Sequence, residues 1–86
     1  MALDMNYKHK VLLAAYELSR EYPLQKGYEF RVSVNGDLLL MPWNEVPGRG
    51  KIYSRFLRIE ENRIFGSDET EISELEDKVR EIEKQP

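Results

Sequence analysis

The sequence predicts an α+β fold made of an N-terminal helix, a three- or four-stranded antiparallel β-meander and a C-terminal helix. Apolar residues recur at helical spacing near both ends of the chain, whereas residues 28–34 alternate between apolar and polar. The Asn35-Gly36 dipeptide that follows this alternation is typical of a β-hairpin turn. A chain of 86 residues is long enough for one domain, so we expect residues 1–86 to form a single unit.

The first helix is predicted over residues 6–22. Four apolar residues follow at spacings of four, three and four, which puts them on one helical face: Val11, Ala15, Leu18 and Tyr22. Asp4 or Asn6 is a suitable N-cap. Pro23 should end the helix, because the residue before a proline avoids the α conformation.

The strands on either side of Asn35-Gly36 should form a hairpin with a two-residue type I′ turn. That turn fixes the register and predicts a core wall of three cross-strand pairs, Val32 with Leu39, Phe30 with Met41, and Tyr28 with Trp43. The same register places Leu38 and Leu40 on the opposite face of the sheet. This second face would be half apolar, and we expect a helix of the same chain or a partner to cover part of it.

The chain after the hairpin contains a predicted loop and two further strands. Residues 44–51 include Pro47, Gly48 and Gly50 and are expected to form a mobile loop. Residues 52–59 should form a strand with a bulge near Phe56-Leu57, because these adjacent apolar residues cannot both face one side of a regular strand. A short fourth strand over residues 63–65 would pair Ile59 with Ile64 and Glu60 with Arg63.

The second helix should begin at Ser67 or Asp68, and Asp68 with Glu71 resembles a capping box. Its apolar stripe comprises Ile72, Leu75, Val79 and Ile82. The stripe has two interpretations: it docks on this chain's own sheet, or it forms the interface of a homodimer.

The charge distribution gives a mildly basic body and an acidic end. Residues 1–67 contain ten Lys/Arg against eight Asp/Glu, a net charge of +2, whereas residues 68–86 contain three against eight, a net charge of −5. The chain has no cysteine, and no apolar run approaches the roughly 20 residues that span a bilayer. With no signal peptide visible, we expect a cytoplasmic protein that does not bind membranes.

No catalytic, metal or cofactor signature stands out. His9 is the only histidine, and its Lys-His-Lys context is typical of an exposed surface residue. Glu60 and Glu61 are adjacent and would point to opposite faces of a strand, so they cannot converge on one substrate. Gly48 to Lys51 lacks the spacing and the following helix of a phosphate-binding loop. We therefore expect a protein that is not an enzyme and needs no cofactor.

The leading functional hypothesis is a small interaction or regulatory protein that binds or inhibits another protein. The predicted contacts are Leu38, Leu40, Trp43 and Tyr53, with the acidic C-terminal helix steering a basic partner. The alternative is a nucleic-acid-binding module built on residues 49–63, where cations alternate with aromatic residues. Its predicted contacts are Arg31, Arg49, Lys51, Arg55 and Arg58.

The helix–sheet–helix order resembles that of double-stranded-RNA-binding domains. Those domains carry lysines at the start of the second helix, where residues 67–71 of this chain are acidic. Because the order of elements does not by itself define a function, the sequence assigns the chain to no family.

Overall fold

A computed structural model describes residues 6–21 and 25–85 and has the predicted α+β architecture. The elements in chain order are α1 (Tyr7–Glu21), β1 (Lys26–Val32), β2 (Leu38–Val46), β3 (Gly50–Tyr53), β4 (Leu57–Ile59), β5 (Ile64–Phe65) and α2 (Glu69–Glu83). The predicted roles of Asp4, Tyr22 and Pro23 fall outside the described residues.

Helix α1 begins at the predicted cap. The Oδ1 atom of Asn6 accepts a hydrogen bond from the backbone N–H of His9 at 2.9 Å, which satisfies one of the free amides of the first turn. Val11, Ala14 and Ala15 are buried, so the predicted apolar face is the one that meets the core. His9 is exposed, as its sequence context predicts.

The strands form one antiparallel sheet in which β2 is central. Strand β1 pairs with one side of β2, β3 and β4 pair with the other, and β5 pairs with β4. Between the pairs Leu40–Leu57 and Trp43–Tyr53, the β3–β4 segment contains one residue more than β2. This extra residue is the predicted bulge, and it divides the predicted third strand into two.

The β1–β2 hairpin differs from the prediction. The backbone N–H of Gly36 donates to the Ser33 carbonyl at 2.9 Å, and the N–H of Ser33 donates to the Asp37 carbonyl at 2.9 Å. Gly36 has φ of +85°, whereas Asn35 does not have the positive φ that a type I′ turn needs. The loop is therefore a type I turn followed by a left-handed glycine. Ser at the first position of a type I turn and Gly at the fourth are the favoured residues.

The three-residue loop shifts the register by one residue. Val32 lies opposite Leu38, and Phe30 lies opposite Leu40. The predicted core wall of Val32–Leu39, Phe30–Met41 and Tyr28–Trp43 is therefore wrong. Because side chains alternate along a strand, a shift of one residue moves every side chain of β2 to the other face relative to β1.

The predicted loop 44–51 is mostly strand. Strands β2 and β3 continue to a tight turn in which the N–H of Arg49 donates to the Val46 carbonyl at 2.9 Å. Gly48 has φ of +82° and follows Pro47, which is the type II arrangement. The fourth predicted strand is confirmed as β5, with Ile59 opposite Ile64 and the N–H of Glu60 donating to the Arg63 carbonyl at 2.9 Å.

Helix α2 begins at Asp68, which accepts a hydrogen bond from the N–H of Glu71 at 3.2 Å. Both helices cover the same face of the sheet. The core between them consists of Val11, Ala14, Ala15, Leu40, Leu57, Ile59, Ile64, Leu75, Val79 and Ile82. Ion pairs join the start of α1 to the end of α2, Lys10 to Glu83 at 2.9 Å, and the end of α1 to the middle of α2, Lys78 to Glu21 at 3.4 Å.

The apolar stripe of α2 is part of this core. Leu75, Val79 and Ile82 are buried, and Ile72 packs against them from the edge. The homodimer interface proposed for these residues is therefore corrected, since the chain itself already buries the stripe. Within residues 6–21 and 25–85, neither helix is long and apolar enough to span a membrane.

Candidate functional site

The sheet face that points away from both helices is the main candidate surface, and we call it the open face. Leu40, Leu57 and Ile59 point towards the helices and are buried. Their neighbours along each strand must point to the other side. Following this alternation through the register, the open face comprises Glu29, Arg31, Leu39, Met41, Trp43, Glu45, Lys51, Tyr53, Arg58 and Phe65.

The middle of the open face is apolar. Leu39, Met41 and Trp43 follow one another on the central strand β2, and each is half-buried. Trp43 pairs with Tyr53, which is 43% exposed, while Phe65 is half-buried at the other end of the sheet. Three large apolar side chains on the most central strand, with no described helix over them, make a continuous apolar strip.

Trp43 lies flat against the sheet because its neighbour across the ladder is a glycine. Gly27 is the cross-strand partner of Trp43, and a Cβ atom at Gly27 would overlap the indole ring. On the solvent side, the Lys51 ammonium lies 4.4 Å from the centre of the ring, within the range of a cation–π contact. The indole is therefore held between the glycine backbone and a cation.

Polar groups surround the apolar strip on the β1 side. The Tyr53 hydroxyl donates a hydrogen bond of 2.7 Å to Glu29, and this bond raises the pKa of Tyr53. Glu29 also lies 3.6 Å from the Arg31 guanidinium. One carboxylate thus connects an aromatic residue of β3 with a cation of its own strand.

The β4–β5 side of the open face is aromatic and basic. The guanidinium carbons of Arg63 and Arg58 lie 4.1 Å and 5.2 Å from the centre of the Phe65 ring. Arg58 also forms an ion pair with Glu60 at 3.0 Å. Cations and carboxylates therefore alternate around the apolar strip on both sides.

The structure separates the residues predicted to contact a protein partner. Trp43 and Tyr53 lie on the open face, so Trp43 is not part of the core wall in which the predicted register placed it. Leu40 is fully buried among the core residues, and the half-buried Leu38 packs against the same core. These two leucines are therefore corrected from contact residues to core residues, because the one-residue shift in register turns them towards the helices.

The residues predicted to contact nucleic acid also divide into two groups. Arg31, Lys51 and Arg58 lie together on the open face. Arg49 lies in the β2–β3 turn, and Arg55 lies in the segment between β3 and β4. Both are exposed, but they do not belong to the face that carries the other three.

Leu39, Met41 and Phe65 were missed as site residues. Strand β2 is apolar at nearly every position from Leu38 to Trp43, so its pattern cannot show which half faces the core. The choice depended on the turn. The pattern of Ser33 followed three residues later by Gly36 was the available signal for a type I turn.

A second polar cluster lies on the helix side of the sheet. Lys26 forms ion pairs with Glu74 at 2.6 Å and with Glu71 at 3.4 Å, and the Tyr28 hydroxyl donates to Glu71 at 3.5 Å. Burial raises the pKa of Tyr28, and the negative charge of Glu71 raises it further. Burial alone would lower the pKa of Lys26, but the bonds to Glu74 and Glu71 outweigh it and raise that pKa. The cluster joins β1 to α2 and is structural.

Within the part of the chain that the structure describes, no group of three or more His, Cys, Asp or Glu side chains could hold a metal ion. Comparisons with models of known families, with curated proteins and with solved structures found no match. The functional argument therefore depends on the open face itself.

Proposed function

We propose that this protein is a non-enzymatic binding protein that recognises another protein through the open face of its sheet. The observation that supports this most strongly is the apolar strip of Leu39, Met41 and Trp43. A one-sided antiparallel sheet usually carries polar residues on its solvent face. An apolar strip retained on that face, between aromatic residues, is typical of a surface that binds a partner.

The composition of the open face also favours a protein partner. Tryptophan, tyrosine, methionine and arginine are enriched in protein interfaces, and tryptophan, tyrosine and arginine are also enriched among the residues that dominate binding energy. Here Trp43, Met41 and Tyr53 lie next to one another, and Arg31 and Arg58 lie at the margin. An apolar centre with a charged margin is the usual anatomy of such an interface.

The charges on the open face favour a protein over a nucleic acid. Glu29 lies beside Arg31, and Glu60 forms an ion pair with Arg58. Glu45 is paired across the ladder with Lys51. A phosphate backbone would be repelled by these carboxylates, whereas a protein surface with charges of both signs can complement them.

The acidic helix contributes less to partner recognition than the sequence suggests. Several carboxylates of α2 form ion pairs within the chain, namely Glu71 and Glu74 with Lys26, Glu81 with Lys78, Asp77 with Arg80 and Glu83 with Lys10. Their charge is partly neutralised inside the fold. The proposal therefore places recognition on the sheet and not on α2.

A nucleic-acid-binding role is the second candidate, and one observation favours it. Lys51 lies over Trp43, and Arg63 lies over Phe65, so each of these two aromatic rings has a cation within cation–π distance. An aromatic ring can stack on a base while a neighbouring cation contacts the phosphate. This role predicts binding that weakens steeply with salt and is lost after nuclease treatment.

An affinity capture from cells of the source organism, with and without nuclease, separates the two candidates. We compare the unmodified chain with Leu39→Asp, which places a carboxylate in the middle of the apolar strip. The matched control is Ile52→Asp, because Ile52 is an aliphatic sheet residue that is 45% exposed and points to the opposite face. We expect a nuclease-resistant protein partner that Leu39→Asp loses and Ile52→Asp retains.

The captured partner is then purified and titrated against all three chains. A loss of affinity of at least tenfold for Leu39→Asp alone supports the proposal, since central interface residues typically contribute more than about 1.4 kcal/mol. Equal binding by Leu39→Asp and the unmodified chain would contradict it. Capture that disappears with nuclease would assign the face to nucleic acid instead.

A further inference from the structure

Strand β1 is a long sheet edge with little protection. It has seven residues and pairs only with β2 within residues 25–85, whereas the other edge strands, β5 and β3, have two and four residues. Proteins usually block such an edge with proline, a bulge or charged side chains, above all lysine. The charged residues of β1 on the open face, Glu29 and Arg31, have opposite signs and therefore do not repel a second copy of the strand. Strand β1 contains no proline, and its one lysine, Lys26, is turned into the ion pairs with Glu71 and Glu74.

The backbone of β1 offers hydrogen-bonding groups at regular intervals along this edge. Gln25 accepts a bond from the N–H of Glu45, and Ser33 donates one to Asp37, so these odd-numbered residues face β2. Antiparallel strands alternate the direction of their N–H and C=O groups. The backbone groups of Tyr28, Phe30 and Val32 therefore point away from the sheet.

The side chains of β1 are complementary to a second copy of the same strand. An antiparallel pairing centred on Phe30 places Glu29 opposite Arg31 of the second copy, and Arg31 opposite its Glu29. Both side chains lie on the open face, where Arg31 has a side-chain exposure of 64%. Opposite charges directly across an antiparallel pair stabilise that register.

The other side of the same pairing is apolar. Phe30 and Val32 are 45% and 71% exposed although they lie on the helix side of the sheet. The pairing would place Phe30 against Phe30 of the second copy and Val32 against its Tyr28. Exposed apolar residues on one side and complementary charges on the other thus specify one register.

We propose that two copies of this chain form a symmetric dimer by antiparallel pairing of their β1 strands about Phe30. Such a twofold interface is self-complementary, since each contact occurs twice. The pairing joins the two sheets into one and places both open faces on the same side. This inference does not depend on the proposed protein partner, because it concerns the edge of the sheet and not its face.

Charge reversal tests the interface by sedimentation equilibrium over a wide range of concentrations. Arg31→Glu would face Glu29 of the second copy at both ends of the interface, so the dimer should weaken by about tenfold or more. Glu29→Arg should weaken it similarly, and the double variant E29R/R31E should restore it. Arg31→Glu changes an exposed side chain and should preserve folding, whereas Glu29→Arg also removes the hydrogen bond from the Tyr53 hydroxyl, so the fold of each variant is checked by circular dichroism.

A cysteine at position 30 provides an independent test, because the natural chain contains no cysteine. Paired residues at the centre of the interface would have Cα atoms about 5.5 Å apart, a separation that a disulfide can bridge. Phe30→Cys should oxidise to a covalent dimer, whereas the equally exposed Ile52→Cys should not.

A monomeric mass for the unmodified chain at every concentration would overturn the proposal. A dimer that is indifferent to Arg31→Glu and does not link through position 30 would equally overturn it, since the contact would then lie elsewhere. The chain could also stay monomeric and have its β1 amides protected from hydrogen exchange only when another protein is added. The edge would then pair with a strand of that protein, and the dimer proposal would be overturned.

Discussion

At the residue scale, the contact between Gly27 and Trp43 determines how the indole ring lies on the open face. A side chain at position 27 would stand where the indole ring now lies. Glycine weakens a strand because it has no side chain to pack, and a cross-strand aromatic ring compensates by covering the exposed backbone. The absence of a side chain at one residue thus allows a large aromatic residue to lie flat on the sheet.

The substitution Gly27→Ala should therefore displace the Trp43 ring. We expect the free energy of unfolding to fall by about 1–2 kcal/mol, because the added methyl group overlaps the ring but the ring can move towards solvent. Trp43 is the only tryptophan, so its fluorescence emission should shift to longer wavelength and be quenched more strongly by acrylamide.

The control for this change is Asn44→Ala, which alters an exposed residue next to Trp43 that points to the other side of the sheet. It should leave the tryptophan emission unchanged. Unchanged emission and stability in Gly27→Ala as well would mean that the ring does not rest on Gly27.

At the element scale, β1 and α2 are joined by the polar cluster around Glu71. Glu71 is only 7% exposed and lies near both Lys26 and the Tyr28 hydroxyl. The pKa values of Tyr28 and Lys26 are both raised in the folded chain. Folding thus favours the protonated form of each group, a neutral tyrosine and a charged lysine.

Stability should consequently fall in alkaline solution. A group whose pKa is raised by folding gives its full stabilisation below its unfolded pKa and loses it as the pH rises towards the folded pKa. The unfolded values are about 10 for tyrosine and lysine, so the free energy of unfolding should decline above about pH 10. Urea unfolding at a series of pH values measures this decline.

The variant Tyr28→Phe identifies the share of this decline that belongs to Tyr28. Phenylalanine keeps the ring but cannot ionise beside Glu71. The free energy of unfolding of Tyr28→Phe should therefore decline less steeply above about pH 10, with the Lys26 contribution remaining. Superimposable pH profiles for Tyr28→Phe and the unmodified chain would show that this tyrosine is not coupled to folding.

The elements themselves were largely predictable because their signals are local. Asn6 and Asp68 are caps in the sequence and in the structure, and the Ile59–Ile64 pairing follows from the turn at Glu61-Asn62. The register of the β1–β2 hairpin was not predicted correctly. It depends on whether Asn35 adopts positive φ, and the Ser33 hydroxyl favours the other loop by accepting bonds from the amides of Asn35 and Asp37.

At the scale of the whole molecule, the sheet has one face closed by two helices and one face open. The sequence predicted an uneven sheet with apolar residues on both faces, but its register placed Trp43 in the core wall, whereas Trp43 lies on the open face. It could not identify Leu39 and Met41, because neighbouring leucines exchange faces when the register changes by one residue. Which leucines meet the helices depends first on a local turn, whose signal was the spacing of Ser33 and Gly36, and then on long-range packing from both ends of the chain.

The assignment of the two faces is the claim on which the proposed function depends. The most direct test compares urea unfolding of Leu39→Asp and Leu40→Asp, two adjacent residues with the same substitution. Leu40 is fully buried, so Leu40→Asp should lose about 3–5 kcal/mol of side-chain packing and a further 2–7 kcal/mol, roughly, for burying a polar group without a partner. The total stability of a domain of this size is on the order of 5–10 kcal/mol, and Leu40→Asp should therefore be largely unfolded.

Leu39→Asp should remain folded, with a loss of about 1–2 kcal/mol, because its side chain lies at the solvent-facing side of the sheet. A folded Leu39→Asp beside an unfolded Leu40→Asp is the result that the open face predicts. A folded Leu40→Asp beside an unfolded Leu39→Asp would contradict it, because the helices would then cover Leu39, Met41 and Trp43.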